Sequence, residues 1–514
     1  MNRHQYLLVP MMPTPNGPLH LGHIAGPYLK MDVLARTLRQ AGHQVLMITS
    51  VDCFETHVIQ SAERMGLTVE ETSAHYHQAI RNDFAFFRID FDSFADPFSA
   101  EWRASFMAAH MEVAEALART GALEACDEPF LKGSVSGEPL LGYRLCGNCS
   151  NCGSETVGFV CEACGLQMTT ETMHRPRAVD GEAATLASGK TLRLSPGRQE
   201  DADRAIDAMR VPPEFRASMT AFLRGGNPLR VSTLGTHGVG YFGMQGERYM
   251  LYNSYFGHAW FCGEVARQLL DSARNPFDQD SEVVTVTSCG LDNATDLIIC
   301  HEFARAQRRK SFDHCLGNFF LTLDGRKFST GARHAIFVKD VSSRGRVEAD
   351  ALRFYLTDIS PVAAMRDFDV VAFVALHNGW MREVMLARLN DARRQAGIAN
   401  LDLPAVASDS PLVACLEQRQ AATSLDQFAP ADVCGCIRRY LDALGNGGSG
   451  PGLDLAGFAV LAWPLMPTLA ERIWTDLGLP GMPGLEALRQ PQTVLPVDSQ
   501  PLSWRPISKD DLRW

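Results

Sequence analysis

QYLLVPMMPTPNGPLHLGH, Gln5 to His23, passes from an apolar run through a proline- and Asn-Gly-bearing turn straight into a helix start. The opening run suits a short buried strand. Behind the turn, from His20 to Ala41, apolar residues recur at helical spacing (Ile24, Tyr28, Met31, Leu34, Leu38), and Gly42 supplies the stop. HQVLMITSVD (His43–Asp52) then reads as a second buried strand. Strand, crossover helix and parallel strand form the opening unit of a doubly wound sheet. The expected fold class is therefore α/β, with a parallel Rossmann-type catalytic domain.

Helical patterns continue to about Thr120. Residues 121–230 differ in texture, carrying five cysteines between Cys146 and Cys164, and read as an insertion. RYMLYNSYF (Arg248–Phe256) and SEVVTVTSCGLDNA (Ser281–Ala294) are expected to close the sheet. The implied division is 1–120 and 231–335 for the catalytic halves, 336–370 for a linking region and 371–514 for a C-terminal helical bundle. A glycine-rich stretch, Gly445 to Gly452, interrupts that bundle.

The chain has 514 residues, 46% hydrophobic and 21% charged, a globular profile large enough for several domains. No apolar run reaches the roughly 20 residues that span a bilayer, and the N-terminus lacks signal-peptide character. A net charge of −11 argues mildly against a nucleic-acid-coated chain without excluding a local basic groove. Clustered rather than dispersed cysteines suggest a metal site and a cytoplasmic setting.

Three motifs carry chemistry. His20-Leu21-Gly22-His23 places two imidazoles on the first turn of a helix behind a strand, where free N–H groups favour anions. Gly290 and Asp292 follow an apolar strand, where a glycine allows close approach and a carboxylate accepts ribose hydroxyls. LDGRKFSTGARHAIFVKD (Leu323–Asp340) holds Lys327 and Ser329 in a polar loop able to close on phosphates. Each alone has a plainer reading as a helix start, a turn or a solvated hairpin. The cysteines Cys149-x2-Cys152 and Cys161-x2-Cys164 have the spacing of a double knuckle, and four thiolates favour tetrahedral, structural Zn2+. Cys146 offers a rival first pair with Cys149.

In this order and spacing the motifs resemble class I aminoacyl-tRNA synthetases, specifically the methionyl-tRNA synthetase family. PTPNGPLHLGH, TSVDCFET, FDSF, DGRKFS and EADALRFYL all fall where that family has similar segments, as does LAWPLMPTLAERIWTDLGLPG near the end. The resemblance implies an ATP site with Mg2+, including Asn16, in which His20 and His23 bind the triphosphate and Gly22 faces adenine. It further implies that Gly290 and Asp292 hold adenine and ribose, and that Lys327 and Ser329 belong to the closing loop. Asp52 would receive the substrate's amino group, the plainer alternative being a helix N-cap. The zinc knuckle is also implied by the family, within its insertion.

Departures from the family concern specificity. Thr330 stands where the loop's second lysine is usual, with Arg326 and Arg333 nearby as substitute cations. In the amino-acid pocket, which includes Met12, Thr14 replaces a tyrosine and LYNSYFGH (Leu251–His258) lacks the usual Trp and Asp. Asp296 and Leu297 replace an aromatic–His pair. Tyr252, Asn253, Tyr255 and His258 therefore suggest a polar or charged substrate side chain. On the first helix behind the core, Ala387 and Asp391 stand where the family presents an Asn and an Arg to the anticodon, with Arg388 and Arg393 one turn away.

Two enzymatic expectations follow, both forming an aminoacyl adenylate. In one, the aminoacyl group passes to a small-molecule or carrier acceptor, such as an N-hydroxylated amine in natural-product biosynthesis. In the other, the chain is a methionine–tRNA ligase with a compensated pocket and tRNA as its partner. A non-catalytic nucleotide- or tRNA-binding relic is a third reading.

Overall fold

The computed structural model describes the chain except residues 1–2, 162, 165, 167, 196, 198, 210, 225–228, 244–246, 252–254, 329–333, 398, 445–449 and 513–514. Tyr252, Asn253, Ser329, Thr330, Arg333 and most of the glycine-rich stretch therefore lie outside the described residues.

Five parallel strands make the central sheet: β1 (Gln5–Pro10), β2 (Gln44–Ser50), β3 (Ser93–Ala95), β4 (Val284–Gly290) and β5 (His314–Asn318). Their spatial order is β5-β4-β1-β2-β3, with Leu8 beside Met47 on one side and Val286 on the other. Both neighbours of β1 lie deep in the sheet, which explains its unbroken apolar run; Leu7, Leu8 and Val9 are buried. The order reverses between β1 and β4, where a doubly wound sheet opens its ligand crevice.

The helix expected from His20 to Ala41 forms in three pieces. A single turn, Leu21–His23, leads into a wide π-type turn at Ile24–Tyr28 and then a regular helix, Leu29–Gln40. Pro27 has no N–H to donate, and Gly26 departs from helical geometry with ψ −106°. Ser288 Oγ on β4 donates to Pro27 O at 2.7 Å, so the distortion is fastened to the sheet.

Three expectations are corrected. Arg248–Leu251 does not join the parallel sheet; it pairs antiparallel with Val239–Phe242 and Ser232–Thr233 in a separate three-stranded sheet. Tyr255 and His258 belong to a helix, Tyr255–Leu269, rather than to a strand. Strand β3, only three residues long, interrupts what reads as continuous helix.

The insertion begins with a long hairpin, Leu123–Gly133 against Ala184–Leu194, and carries a small sheet of Leu145–Cys149, Glu155–Val157 and Met173–Ala178. Among the described residues, helices Pro411–Ala422, Pro430–Ala443, Pro451–Ala462 and Pro467–Asp476 pack in the C-terminal region. Helix Ala349–Asp358 joins this region to the sheet through Arg353, which is fully buried. Its guanidinium donates to Asp32 Oδ2 at 2.6 Å, Phe87 O at 2.7 Å, Pro464 O at 2.6 Å and Leu465 O at 3.0 Å.

The C-terminal segment, residues 499–512, lies as a strap along the helical run Val370–Ala396. Asn378 and Asn390 each exchange two hydrogen bonds with one strap residue, Ile507 and Leu502 respectively, at 2.7–2.9 Å. Arg382 donates to Trp504 O at 2.9 Å, and Leu502, Ile507 and Leu512 are buried.

Candidate active site

His20 and His23 cap one another. His23 N–H donates to His20 Nδ1 at 3.2 Å and His20 N–H donates to His23 Nδ1 at 3.3 Å. The rings stack with centroids 3.6 Å apart and 9° between planes. Because each Nδ1 accepts, each ring carries its proton on Nε2 and is a donor there. Burial, then the other histidine, holds His20 well below the ordinary imidazole range; burial and Lys327 bring His23 down to about 4. Two neutral N–H donors, fixed in direction, are the result.

The pair is stapled to the segment behind the closing loop. Leu21 N–H donates to Ile336 O and Val338 N–H to Leu19 O, both at 3.0 Å. Asp83 Oδ2 accepts Leu19 N–H at 2.8 Å on the other side. Asp324 and Gly325, both with positive φ, turn a two-residue hairpin. That hairpin brings Lys327 within electrostatic reach of both imidazoles, its Nζ 4.0 Å from the centre of the Phe320 ring. Phe328 is buried against His20, ring centres 5.2 Å apart. A Cβ on Gly22 would stand 3.1 Å from the His20 ring and 3.3 Å from Phe328, so a larger residue would have to press both rings aside by a few tenths of an ångström.

At the carboxyl end of β4, a Cβ on Gly290 would meet Asp292 Oδ1 at 2.4 Å. The glycine thus lets the Asp292 carboxylate fold back over the strand end. Sequence reading missed what lies beneath. Lys30, buried in the first helix, donates to Asn318 Oδ1 at 2.7 Å, and Asn318 stands 3.3 Å from where a Gly26 Cβ would be. Burial lowers Lys30 to about 7. Nothing in local spacing announces a contact between residues so far apart in the chain.

Asp52 follows β2, its N–H donating to Pro13 O at 3.0 Å and so tying the ends of β1 and β2 together. It is not a helix N-cap; Glu55 caps Thr56–Met65. Across the crevice, Asp52, Asp292, Asp296 and Tyr255 feel one another's charge. Thr14 and Asn16 are half-buried in the turn after β1, beside buried Met12. His258 is buried with Nε2 accepting Ser50 N–H at 3.3 Å, and burial pushes it down to about 3, so its ring serves to hold β2. The segment that follows Asp52 borders a cavity of about 320 Å³, lined by Phe54, Thr56, Tyr143, Phe159, Thr233 and His237 among others. His237 Nε2 lies 3.0 Å from Cys53 O, the residue next to Asp52.

The sulfurs of Cys149, Cys152, Cys161 and Cys164 all lie within 4.8 Å of one another. Cys149–Cys164 and Cys152–Cys161 are each 3.6 Å apart. Zn–S bonds of about 2.3 Å in a tetrahedron require sulfurs about 3.8 Å apart, so the cluster fits zinc. Asn151 N–H donates to Cys149 Sγ at 3.4 Å, support for a thiolate. Cys146 stays outside the cluster, which resolves the register. Four sulfurs leave no open position, so zinc would brace the insertion. The purified protein is expected to carry about one zinc per chain. Cys161→Ser should lose that zinc and lower the melting temperature; equal zinc content in the variant, by mass spectrometry of metals, would refute the assignment.

A family model described as tRNA synthetases class I (M) matches residues 6–390. The chain is 26% identical over 398 residues to a methionine–tRNA ligase of Parabacteroides distasonis, covering 74% of this chain and 56% of that protein. It is 24% identical over 466 residues to a methionine–tRNA ligase of Chlamydia trachomatis, covering 87% and 82%. The chain spans a little over half the length of the first curated relatives it matches. Among solved structures it resembles Mycobacterium tuberculosis methionyl-tRNA synthetase in complex with methionyl-adenylate, at TM-score 0.68 and 17% identity over 96% of this chain and 99% of that one. At that identity the likeness concerns the fold.

Proposed function

From a chain that belongs to the class I tRNA synthetases (M), we propose an enzyme that activates an amino acid with ATP as its aminoacyl adenylate. The observation that carries this reading is the reciprocal His20–His23 cap beside Lys327, at the sheet's carboxyl edge. In this mechanism the substrate carboxylate attacks the α-phosphate in line and pyrophosphate leaves. The Nε2–H groups of His20 and His23, with Lys327, stabilise charge as it moves onto the departing phosphates. Gly290 and Asp292 hold the nucleoside, and Asp52 holds the ammonium and so aims the carboxylate. Mg2+ would arrive with the ATP phosphates and reduce their charge.

For the second half-reaction we favour a small-molecule or carrier acceptor over tRNA. Ala387 and Asp391 lie on the exposed side of the helix that would read an anticodon. The arginines around them are engaged within the chain: Arg382 and Arg393 on the strap, Arg388 on Leu441 O and Asp442, Arg394 on Asp391. An exposed acid is unfavourable against phosphate and bases. The competing reading, a methionine–tRNA ligase, is favoured by the names of the curated relatives.

The deciding experiment is ATP–pyrophosphate exchange followed by transfer of labelled amino acid to total tRNA. Exchange without tRNA charging supports the small-acceptor reading. Efficient charging with methionine would establish the ligase instead.

A further inference from the structure

We propose that the amino acid activated here ends in a cationic side chain, and that the Asp296 carboxyl selects it. This rests on the adenylation reading and deepens it by naming the substrate class.

Asp296 sits on the first turn of helix Ala294–Ala306 at 6% exposure. Among the described residues it has no ion pair, and its one hydrogen bond is a 3.5 Å contact from Asn293 Nδ2, at the limit of such bonds. A buried carboxyl ordinarily has partners. The ionisable groups that bear on it are Asp292 and Asp52, with the Tyr255 phenol and the Cys300 thiol also near. None brings positive charge. Burial, and then these two acids, push Asp296 up to about 7.

The three acids come from two different strand ends. Asp52 stands behind β2, while Asp292 and Asp296 stand behind β4 and face it across the crevice. In the adenylation reading Asp292 lies on the ribose and Asp52 on the α-ammonium, which leaves Asp296 without a task. A methionine thioether would present no charge to it and would bury the acid further. A side-chain ammonium or guanidinium would complete an ion pair in a desolvated setting, where a counter-charge matters most. A shared metal ion is a poorer occupant. Among the described residues the cysteine cluster is the one set of three or more ligating side chains close enough to hold an ion.

The test is ATP–pyrophosphate exchange by the full chain with lysine, ornithine, 2,4-diaminobutyrate, arginine, methionine and norleucine, comparing wild type with Asp296→Asn and Asp296→Glu. At least one basic amino acid should exceed norleucine at least tens-fold in kcat/KM. Asp296→Asn should lower that ratio by about 100-fold, with partial recovery in Asp296→Glu. Preference for methionine or norleucine in the wild type, or an unchanged ratio in Asp296→Asn, overturns the inference while leaving adenylation intact. Exchange with no amino acid of this panel overturns the inference together with the adenylation reading beneath it, a failure visible in the wild type alone.

Discussion

His23→Ala lowers the rate of ATP–pyrophosphate exchange by about 100-fold or more, the usual cost of removing one preorganised donor from a developing anion. The fall should lie mainly in kcat, because the donor meets charge that builds as pyrophosphate leaves. The loss has a structural component too. His23 Nδ1 accepts His20 N–H, so alanine removes a cap worth about 1 kcal/mol. Unfolding measurements separate the two effects, since a stability loss of that size cannot account for the rate. Turnover within a few-fold of wild type would remove the pair from the mechanism. The pH profile gives an independent check. Burial and Lys327 lower His23 to about 4, and burial and His23 hold His20 well below the ordinary imidazole range. Neither should produce an inflection near 6.5, the ordinary imidazole value. A kcat/KM profile with such an inflection, lost in His23→Ala, would contradict the reciprocal cap.

Arg353→Ala destabilises the fold by about 3–5 kcal/mol, the range for breaking a buried ion pair from one side. The guanidinium and Asp32 are both fully buried. Removing the arginine strands the carbonyls of Phe87, Pro464 and Leu465 without their donor. Asp32 keeps Arg36 at 2.9 Å, which limits the damage to the carboxylate. Arg36, whose guanidinium lies over the Trp463 ring at 4.8 Å, is already committed to Asp32, Asp90 and the Arg88 carbonyl. Urea unfolding should show a lower midpoint, with the C-terminal helices released together with the sheet. A loss below 1 kcal/mol would mean that water or a neighbour readily replaces the guanidinium.

The parts legible from sequence were those whose cause is local. A run of apolar residues, a turn and a helical period lie side by side in Gln5–Gln40, so the strand–helix unit could be read directly. The knuckle spacing singled out four of five clustered cysteines, although only the fold separates Cys146 from the cluster. Illegible parts depend on distant partners. Arg248–Leu251 looks like a core strand, but its pairing with Val239–Phe242 takes it into another sheet. Strand β3, three residues long, is too short to leave an alternating pattern of its own in the sequence. Lys30 reads as an ordinary helix residue until Asn318, far along the chain, meets it. The polarity of His258 suggests a recognition group, yet its ring nitrogen is engaged with Ser50. The sequence marks Asp296 as a departure in the pocket, but its acidic surroundings, Asp52 and Asp292, come from the fold.

The strap has an evolutionary consequence. Asn378 and Asn390 grip it through the backbone N–H and C=O of Ile507 and Leu502, and Arg382 through a carbonyl. Every residue except proline offers that same pair of groups. Substitutions along residues 499–512 are therefore constrained at the buried side chains and at Ser499, Trp504, Ser508 and Asp511, which make contacts of their own, while the rest can vary and the two asparagines on the helix cannot. Aspartate in their place would lose the donor, and leucine would lose both bonds. Among homologues with this arrangement, the tail should drift in sequence while its path and its two asparagines persist.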